Sequence, residues 1–514
     1  MPKAKCVVTN NTSPYTVHSY YPLKAKMKQE GTKKPDTFEA VFPIQNDVDQ
    51  NYQISYIQDV VDTTWLSAAY PMQLSCLDES GYEQDPTDPA ESRFTKVTSG
   101  KFKGHYALQF TADSQGVEVP SAKTNRIDLS GQFDINIFFT PDTTQLQDGS
   151  DEPILWSFRS STVGLDIGIT GTNGNNSSWK VFLRVDNGSI TSGYTGATSG
   201  LIMTGAPVHI RVKRGSDNLL KAFVNGVEDI SQSVTQNLQP SSTAMVFGDT
   251  ETSTSDEYKG LIHEIKVYCG NTLSDMDATR VWTTKPIAQY MKFNGKVRKL
   301  ESNQVSKKAV CQSNSYQITT YKLGDINSSE PDPHALSSTS FKTIVQSALD
   351  EASSGTFTVR NLDTFAHTLD VYALGGNIYE IGSVVEFINI LLTYSECVMY
   401  FTPRKNVIIE SDAGHATDNI FDQNNPTQGC NIRSSESNDI KLVTQVVIVG
   451  RTSSVDRSIT PHDGITRTLR RNVRQLGGGT TDHDIYELAQ KSIEVLSGKY
   501  GGLYGVPYPK YVVQ

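Results

Sequence analysis

Histidines and carboxylates that fall close enough together to do chemistry are few. His462-Asp463-Gly464 and Asp482-His483-Asp484 are the His/Asp clusters of the 514-residue chain, and both lie in polar sequence beside Gly477-Gly478-Gly479. Zinc sites draw three or four ligands at defined spacing, and neither cluster supplies them. Both read as solvated loops. The triple glycine lacks the preceding strand and the Lys-Ser/Thr of a phosphate loop, which makes it a linker. There is no Gly-x-Ser-x-Gly, and the cysteines have no identifiable histidine partner, so nucleophilic catalysis finds no support. A glycosidase needs two carboxylates facing across a cleft. Glu118, Glu228 and Glu264 lie on or beside predicted strands, yet spacing pairs no two of them. The expectation is a protein that is not an enzyme.

The elements around these residues are mostly strands. His105 to Phe110 leads through Ala112-Asp113-Ser114 to Gly116–Pro120, two alternating segments joined by a polar turn. Phe133–Phe138 and Ile154–Phe158 alternate as well. Val208–Val212 and Lys221–Val224 flank a hairpin loop at Arg214–Asp217, and Asn225-Gly226 turns the next hairpin because both residues tolerate positive φ. Gly260–Tyr268 closes the set. In this order the segments from about Leu74 to Tyr268 resemble the laminin-G-like, or concanavalin-A-like, antiparallel sandwiches. The pieces that carry the resemblance are "HYALQF", "AFVNGVE", "VFGDTE" at Val246–Glu251, "GLIHEIKVY" and the trailing "TLSD" at Thr272–Asp275.

That resemblance implies a jelly roll serving as a recognition surface, although the fold also hosts adhesion modules, enzymes and spacers. By likeness to the family's edge-loop sites, Asp113, Asp166, Asp249 and Asn225 are calcium candidates through their oxygen atoms. The alternative reading is of turn residues bonding their own backbone. No cofactor is required. Trp156 and Trp282 are candidates for stacking on a glycan or a partner, or else for filling the sandwich core.

The flanks supply a second clue. Asp36–Phe42, Tyr52–Ile57, Tyr290–Val297 with its glycine bend, and Ala309–Ser313 each read as strands. Neither flank alone has enough strands to bury an apolar face. Joined, they make a small barrel of five or six strands interrupted by the jelly roll, an arrangement that costs little closure entropy. The resulting expectation is a mainly β chain with some α. Residues 1–70 and 288–330 form a split barrel, 71–287 an inserted jelly roll, 331–425 a small α+β domain, and 426–514 further barrel strands with a closing helix. The insertion is expected to be separable from its scaffold.

Past residue 330 the pattern mixes helices with strands. Phe341, Ile344, Val345, Ala348 and Leu349 share one helix face. Ser383 with Glu386 forms a capping box before Val384, Phe387, Ile388, Leu391 and Leu392. Cys397–Phe401 and Val407–Glu410 then read as a hairpin. A valine-rich strand ends at Gly450, and a last helix covers about Asp484–Leu496. Residues 1–70 and 288–514 in this order resemble the tail-hub proteins of tailed viruses, the baseplate hubs and late-control D proteins. Two departures are the stop at Gln514 and the jelly-roll insertion itself.

What that second resemblance implies is mechanical: a trimeric ring whose barrels meet the tail tube and other tail-tip proteins, closed by heterologous contacts. DNA would pass through the lumen without specific binding. The place would be the virion tail tip, assembled in the host cytoplasm, with the jelly roll meeting a host-surface glycan or neighbouring subunits. The rival readings are a carbohydrate-binding adhesin and a polysaccharide-degrading enzyme.

Composition bounds these readings. The net charge of −10 argues against a general nucleic-acid binder. One basic segment, Lys24-Ala25-Lys26-Met27-Lys28 with Lys33-Lys34, stands out; it reads as facing an acidic partner or as a solvated loop. The start of the chain carries no apolar stretch of a signal peptide, and no run approaches the ~20 apolar residues of a membrane helix. The six cysteines lie far apart, as reduced thiols do.

Overall fold

The computed structural model describes residues 4–321 apart from short stretches at 11–15, 29–34, 99–100, 103–104, 112–114, 143–151, 161, 172–178, 188–190, 198–201, 203–204, 250–257 and 284–288. Beyond these it describes 339–353, 355–361, 368–369, 383–385, 388, 397–411, 432–436, 445–449, 454–458, 468–472 and 510–513. Two compact units divide the chain: residues 1–28 with 37–313, and residues 29–36 with 314–514. The protein is mainly β, with few helices.

The first unit opens with β1 (Ala4–Thr9), β2 (Val17–Tyr20), β3 (Lys24–Lys28), β4 (Thr37–Pro43), β5 (Gln53–Gln58) and β6 (Leu66–Tyr70). The sandwich continues through β7 (Phe94–Lys96), β8 (Tyr106–Phe110), β9 (Val117–Val119), β10 (Phe133–Pro141), β11 (Ile154–Arg159), β12 (Val163–Thr170) and β13 (Lys180–Asn187). It ends with β14 (Thr191–Thr195), β15 (Val208–Arg214), β16 (Leu219–Val224), β17 (Val227–Ser233), β18 (Met245–Phe247), β19 (Gly260–Cys269) and helix α1 (Asp275–Thr283). Strands β20 (Met291–Ser302) and β21 (Ser306–Ser313) follow.

Strands from both flanks share one sheet, in the order β2-β1-β5-β20-β21-β4-β3. Its centre is the β5–β20 ladder, which pairs Ile57 with Met291 and Ile54 with Gly295 across the whole insertion. Alternation decides its inner face: β4 buries every second residue, and Phe38, Ala40 and Phe42 meet Cys6, Val8, Ile54, Phe293, Val297 and Cys311. Burying one such phenylalanine contributes roughly 1.5–3 kcal/mol. Gly295 sits at a close approach, since a Cβ there would lie 2.1 Å from the Gln312 carbonyl oxygen. The sheet has seven strands where five or six were expected, and among the described residues no ladder joins β2 to β3 to close a barrel.

The sandwich consists of an eight-stranded sheet, β17-β16-β15-β10-β19-β8-β7 with β6 also on β19, and a six-stranded sheet, β14-β13-β12-β11-β18-β9. Asn225 and Gly226 take φ of 50° and 84°, as the expected hairpin turn requires. Strands β8 and β9, adjacent in sequence, do not pair: the chain crosses from one sheet to the other between them. Strand β6 pairs with β19 although it precedes the expected start of the insertion at residue 71.

Around β6, β10 and β19 the outer face of the eight-stranded sheet is not solvent-facing. Phe138, Tyr268, Leu66 and Ala69 share a core cluster with Val7, Ile57 and Tyr290 of the split sheet and with Leu273 and Val281 around α1. Polar groups lock the same seam. Lys5 Nζ donates to the Leu66 carbonyl at 2.7 Å, and the Tyr290 and Met291 amides donate to Glu79 at 2.5 and 3.1 Å. Insertion and scaffold thus share one core, and either part alone would expose apolar surface that the other now covers.

The second unit contains α2 (Tyr316–Thr320), β22 (Thr339–Ser340), α3 (Phe341–Ser353), β23 (Thr358–Asn361), β24 (Thr368–Leu369), β25 (Cys397–Phe401) and β26 (Asn406–Ser411). Of the predicted helix face on α3, Val345, Ala348 and Leu349 are buried and pack with Ile318, Val384, Ile388, Val407 and Ile409. Ile318 therefore places α2 with this α+β core, although residues up to 330 were expected in the barrel. The expected hairpin is β25–β26, and β23 adds to it in parallel. Strands β27 (Ile432–Glu436), β28 (Gln445–Val449), β29 (Ser454–Ser458), β30 (Thr468–Asn472) and β31 (Lys510–Val513) form a β27–β31 pair and a three-stranded β29-β28-β30 sheet. The closing helix at 484–496, the two His/Asp clusters and the triple glycine lie outside the described residues.

Candidate functional site

The six-stranded sheet turns one face to the core and gathers charge on the other. In β11, β12 and β13 the inward positions are apolar: Trp156 and Phe158, Leu165 and Ile167, Val181, Leu183 and Val185. The alternate positions carry Ser157 and Arg159, Asp166, and Arg184 and Asp186. Register aligns them in rows: Ser157 beside Asp166 beside Arg184, then Arg159 beside Gly164 beside Asp186.

The side chains interlock. Asp166 accepts hydrogen bonds from Ser157 Oγ at 2.7 Å and from Arg159 Nε at 2.7 Å, with Arg184 Nη1 at 3.4 Å. Arg159 Nη1 stands 3.6 Å from Asp186, and Arg184 Nη2 is 2.8 Å from Glu152. Gly164 makes the second row possible: at φ +143°, a Cβ would meet the Phe158 carbonyl oxygen at 2.3 Å and Arg159 Cβ at 2.9 Å. Burial pushes the Asp166 carboxyl up, and Arg159 and Ser157 work against that. Asp166 is 0% exposed, whereas Arg184 and Glu152 are 16% and 37% exposed. The array thus has a sealed base and an accessible rim, with the Arg184 guanidinium 5.7 Å from the Phe182 ring centroid. Guanidinium donors and carboxylate acceptors held this way form charge-assisted hydrogen bonds with fixed geometry.

The expected calcium ligands are not brought together. Asp113 lies outside the described residues. Asp166 spends its oxygens on Ser157 and arginines, and as a calcium ligand it would have to surrender those bonds. Asn225 sits at the β16–β17 turn of the other sheet, accepting from the His209 amide at 2.9 Å. Asp249 lies just past β18, beside Gly116. Among the described residues no three His, Cys, Asp or Glu side chains cluster as metal ligands.

Neither tryptophan offers a free ring. Trp156 is fully buried in the core. Trp282, on α1, stacks on His209 at 6.1 Å and lies under the Lys101 ammonium, 4.5 Å from the ring centroid. The three glutamates are dispersed as well: Glu118 is on β9, and Glu228 and Glu264 are on β17 and β19. Those last two strands lie four strand spacings apart, roughly 19 Å, beyond the carboxylate separations of glycosidases.

Arg159, Arg184, Asp186 and Glu152 were not singled out from sequence. The signal is there in retrospect: charged residues at the alternate positions of "SFR", "GLDIG" and "FLRVDN". What sequence lacks is the register that stacks the three strands.

No family model and no curated protein matches the chain. Solved structures similar to part of it include domain 4 of AbnA, a GH43 extracellular arabinanase from Geobacillus stearothermophilus, in complex with arabinotriose. It is 18% identical over 42% of this chain and 98% of that one, with a TM-score of 0.31. The CBM40 of Ruminococcus gnavus IT-sialidase bound to α2,3-sialyllactose is 16% identical over 34% of this chain and 95% of its own, with a TM-score of 0.28. The botulinum neurotoxin serotype D binding domain is 13% identical over 43% of this chain and 51% of that one, with a TM-score of 0.33.

Proposed function

We propose that this chain is a carbohydrate-binding protein of the adhesin kind, not an enzyme, that reads a glycan on the outer face of β11–β13. One observation carries this reading: the ordered guanidinium–carboxylate array of Arg159, Asp166, Arg184, Asp186 and Glu152 on the face turned away from the core. Sugar hydroxyls both donate and accept, and a prealigned set of donors and acceptors engages them without further ordering cost. Around β6, β10 and β19 the opposite face of the sandwich is buried against the split sheet, which would hold the binding face rigidly for attachment to a glycan-bearing surface. The test is calorimetric titration with an oligosaccharide panel. Arg184→Ala and Glu152→Gln, at the accessible rim, should each weaken binding by about tenfold, the loss expected from one charge-assisted hydrogen bond. Unchanged affinity in both variants, or no binding by the unaltered protein, refutes the reading.

A second reading, a tail-hub subunit of a tailed virus, is favoured by the sheet completed from both sides of the insertion, with β5 paired to β20. It would make the protein a ring-forming, trimeric component of a virion tail tip, bound to tail-tube neighbours, with the sandwich displayed outward. Analytical ultracentrifugation separates the two: a closed trimer favours the hub and a monomer retained on glycan favours the adhesin.

A further inference from the structure

The outer face of the split sheet carries a concentration of positive charge that the array on β11–β13 does not use. Strand β3 projects Lys24, Lys26 and Lys28 on one side, while Ala25 and Met27 take the other. Cross-strand register continues that side inward: Lys26 beside Glu39, Val310 and Lys299; Lys24 beside Val41, Lys308 and Glu301; Lys28 beside Thr37, Gln312 and Lys296. Six lysines thus share a face with two glutamates, in a chain whose net charge is −10. Lys24, Lys26, Lys28, Lys296 and Lys299 are exposed, and Arg298, exposed in the β20 bulge, adds positive charge nearby.

Two glutamates are already engaged, Glu39 with Lys308 at 3.2 Å and Glu301 with Lys299 at 2.6 Å. Among the described residues, Lys24, Lys26 and Lys296 have no carboxylate within ion-pair distance. Lysines on an edge strand deter sheet-to-sheet aggregation, which would account for β3. That reason does not extend to Lys296 and Lys299, which stand three strands in from the edge, about 14 Å away.

We infer that this face of β3, β4, β21 and β20 binds an acidic polysaccharide, a linear chain bearing carboxylate or sulfate groups. Lysine ammoniums are compact, flexible point charges that follow charge density along a chain without demanding bidentate geometry. Between them the face presents Val41, Val310, Thr37 and Gln312, with no aromatic ring on which nucleic-acid bases would stack. Nor does it hold the large apolar anchor that a protein partner would bury. The choice of a glycan rests on the carbohydrate-binding reading above. The face would supply a second point of attachment to a charged glycan surface, adding avidity to the array on β11–β13.

The experiment measures binding of alginate oligomers, dextran sulfate and a single-stranded oligonucleotide to the full chain across a salt series. Binding of either acidic polysaccharide, weakening as salt rises, is expected. In Lys24→Gln/Lys26→Gln/Lys296→Gln it should weaken by about tenfold, three exposed charges being removed. Glutamine at exposed positions leaves folding intact, which circular dichroism verifies, and the salt dependence of the unaltered protein stands as an independent readout. Three results overturn the proposal: neither polysaccharide binds, the triple variant binds equally well, or the oligonucleotide binds as tightly as the polysaccharides. The triple variant should keep the affinity of the unaltered protein for the oligosaccharides read by the β11–β13 array, so failure here and failure of that site are told apart.

Discussion

Asp59, one residue past β5, and Lys266 of β19 form an ion pair at 3.4 Å with side chains 0% and 3% exposed. Tyr268 Oη donates to the same carboxylate at 3.3 Å, and Glu264 stands 3.8 Å from the ammonium on its other side. Burial alone would lower the Lys266 ammonium, but Asp59 and Glu264 together hold it above the usual lysine range. One partner belongs to the split sheet and the other to the sandwich, so the pair fastens one to the other. Removing one member leaves the other charge buried and uncompensated. Lys266→Met should cost about 3–5 kcal/mol, read as a drop in urea midpoint. Asp59→Asn/Lys266→Met should recover part of that loss; no recovery would mean that the two residues do not act as a pair.

Lys5 gives the same seam a pH dependence. Burial brings its ammonium down to about 7, against the opposing pull of Asp78, while an unfolded lysine stays protonated to 10.5. Between those values the unfolded chain holds a proton that the folded chain lacks. Stability contributed by this group therefore rises with pH, by up to about 1.4 kcal/mol per unit. Urea melts from pH 7 to 9 on the unaltered protein and Lys5→Met should diverge by this slope. Parallel curves would rule the effect out.

Acid should weaken the sandwich. Burial holds His209 well below its ordinary value, and brings His263 down to about 3 from 6.5, with His105 adding to the shift. Both are neutral when folded and gain a proton on unfolding once pH falls below 6.5. Each then removes up to about 1.4 kcal/mol per unit of acidification. Melting temperature should fall between pH 6.5 and 5, and His209→Gln/His263→Gln should flatten that fall. An equally steep fall in the double variant would assign acid lability elsewhere.

Gly248 tests the crossing between sheets. Its φ is +75°, and a Cβ would lie 2.2 Å from Phe110 Cε1. Gly248→Ala should destabilise by about 1–3 kcal/mol through strain and overpacking. Pairing it with Phe110→Leu should relieve the clash and leave the backbone share. A melt unchanged by Gly248→Ala would show that this approach is looser than described.

Excision of the insertion offers a broader check. Joining residues 70 and 288 would bare Val7, Ile57 and Tyr290, strip Asp59 of Lys266, and leave the Tyr290 and Met291 amides without Glu79. The shortened chain is expected to aggregate, and a soluble, cooperatively melting product would restore the picture of a separable module.

Period-two alternation by itself located many strands, because the two faces of a strand meet different surroundings, but not Val163–Thr170 or Lys180–Asn187, which carry the array. Thr37–Pro43, Phe133–Pro141, Val208–Arg214 and Gly260–Cys269 all follow from alternation, and the turn at Asn225-Gly226 was legible too, where positive φ leaves few residue choices. The helix at Phe341–Ser353 was equally legible from its apolar stripe. Alternation is local, however, and carries no register between strands. Only the tertiary structure decided that Arg159, Asp166 and Arg184 meet, that Trp156 is sealed in the core, and that Asp166, Asp249 and Asn225 lie apart. It also decided that Asp59 and Lys266, more than two hundred residues apart in sequence, neutralise each other. Long-range pairing follows from which buried surfaces the whole chain can satisfy at once, and no single segment contains that information.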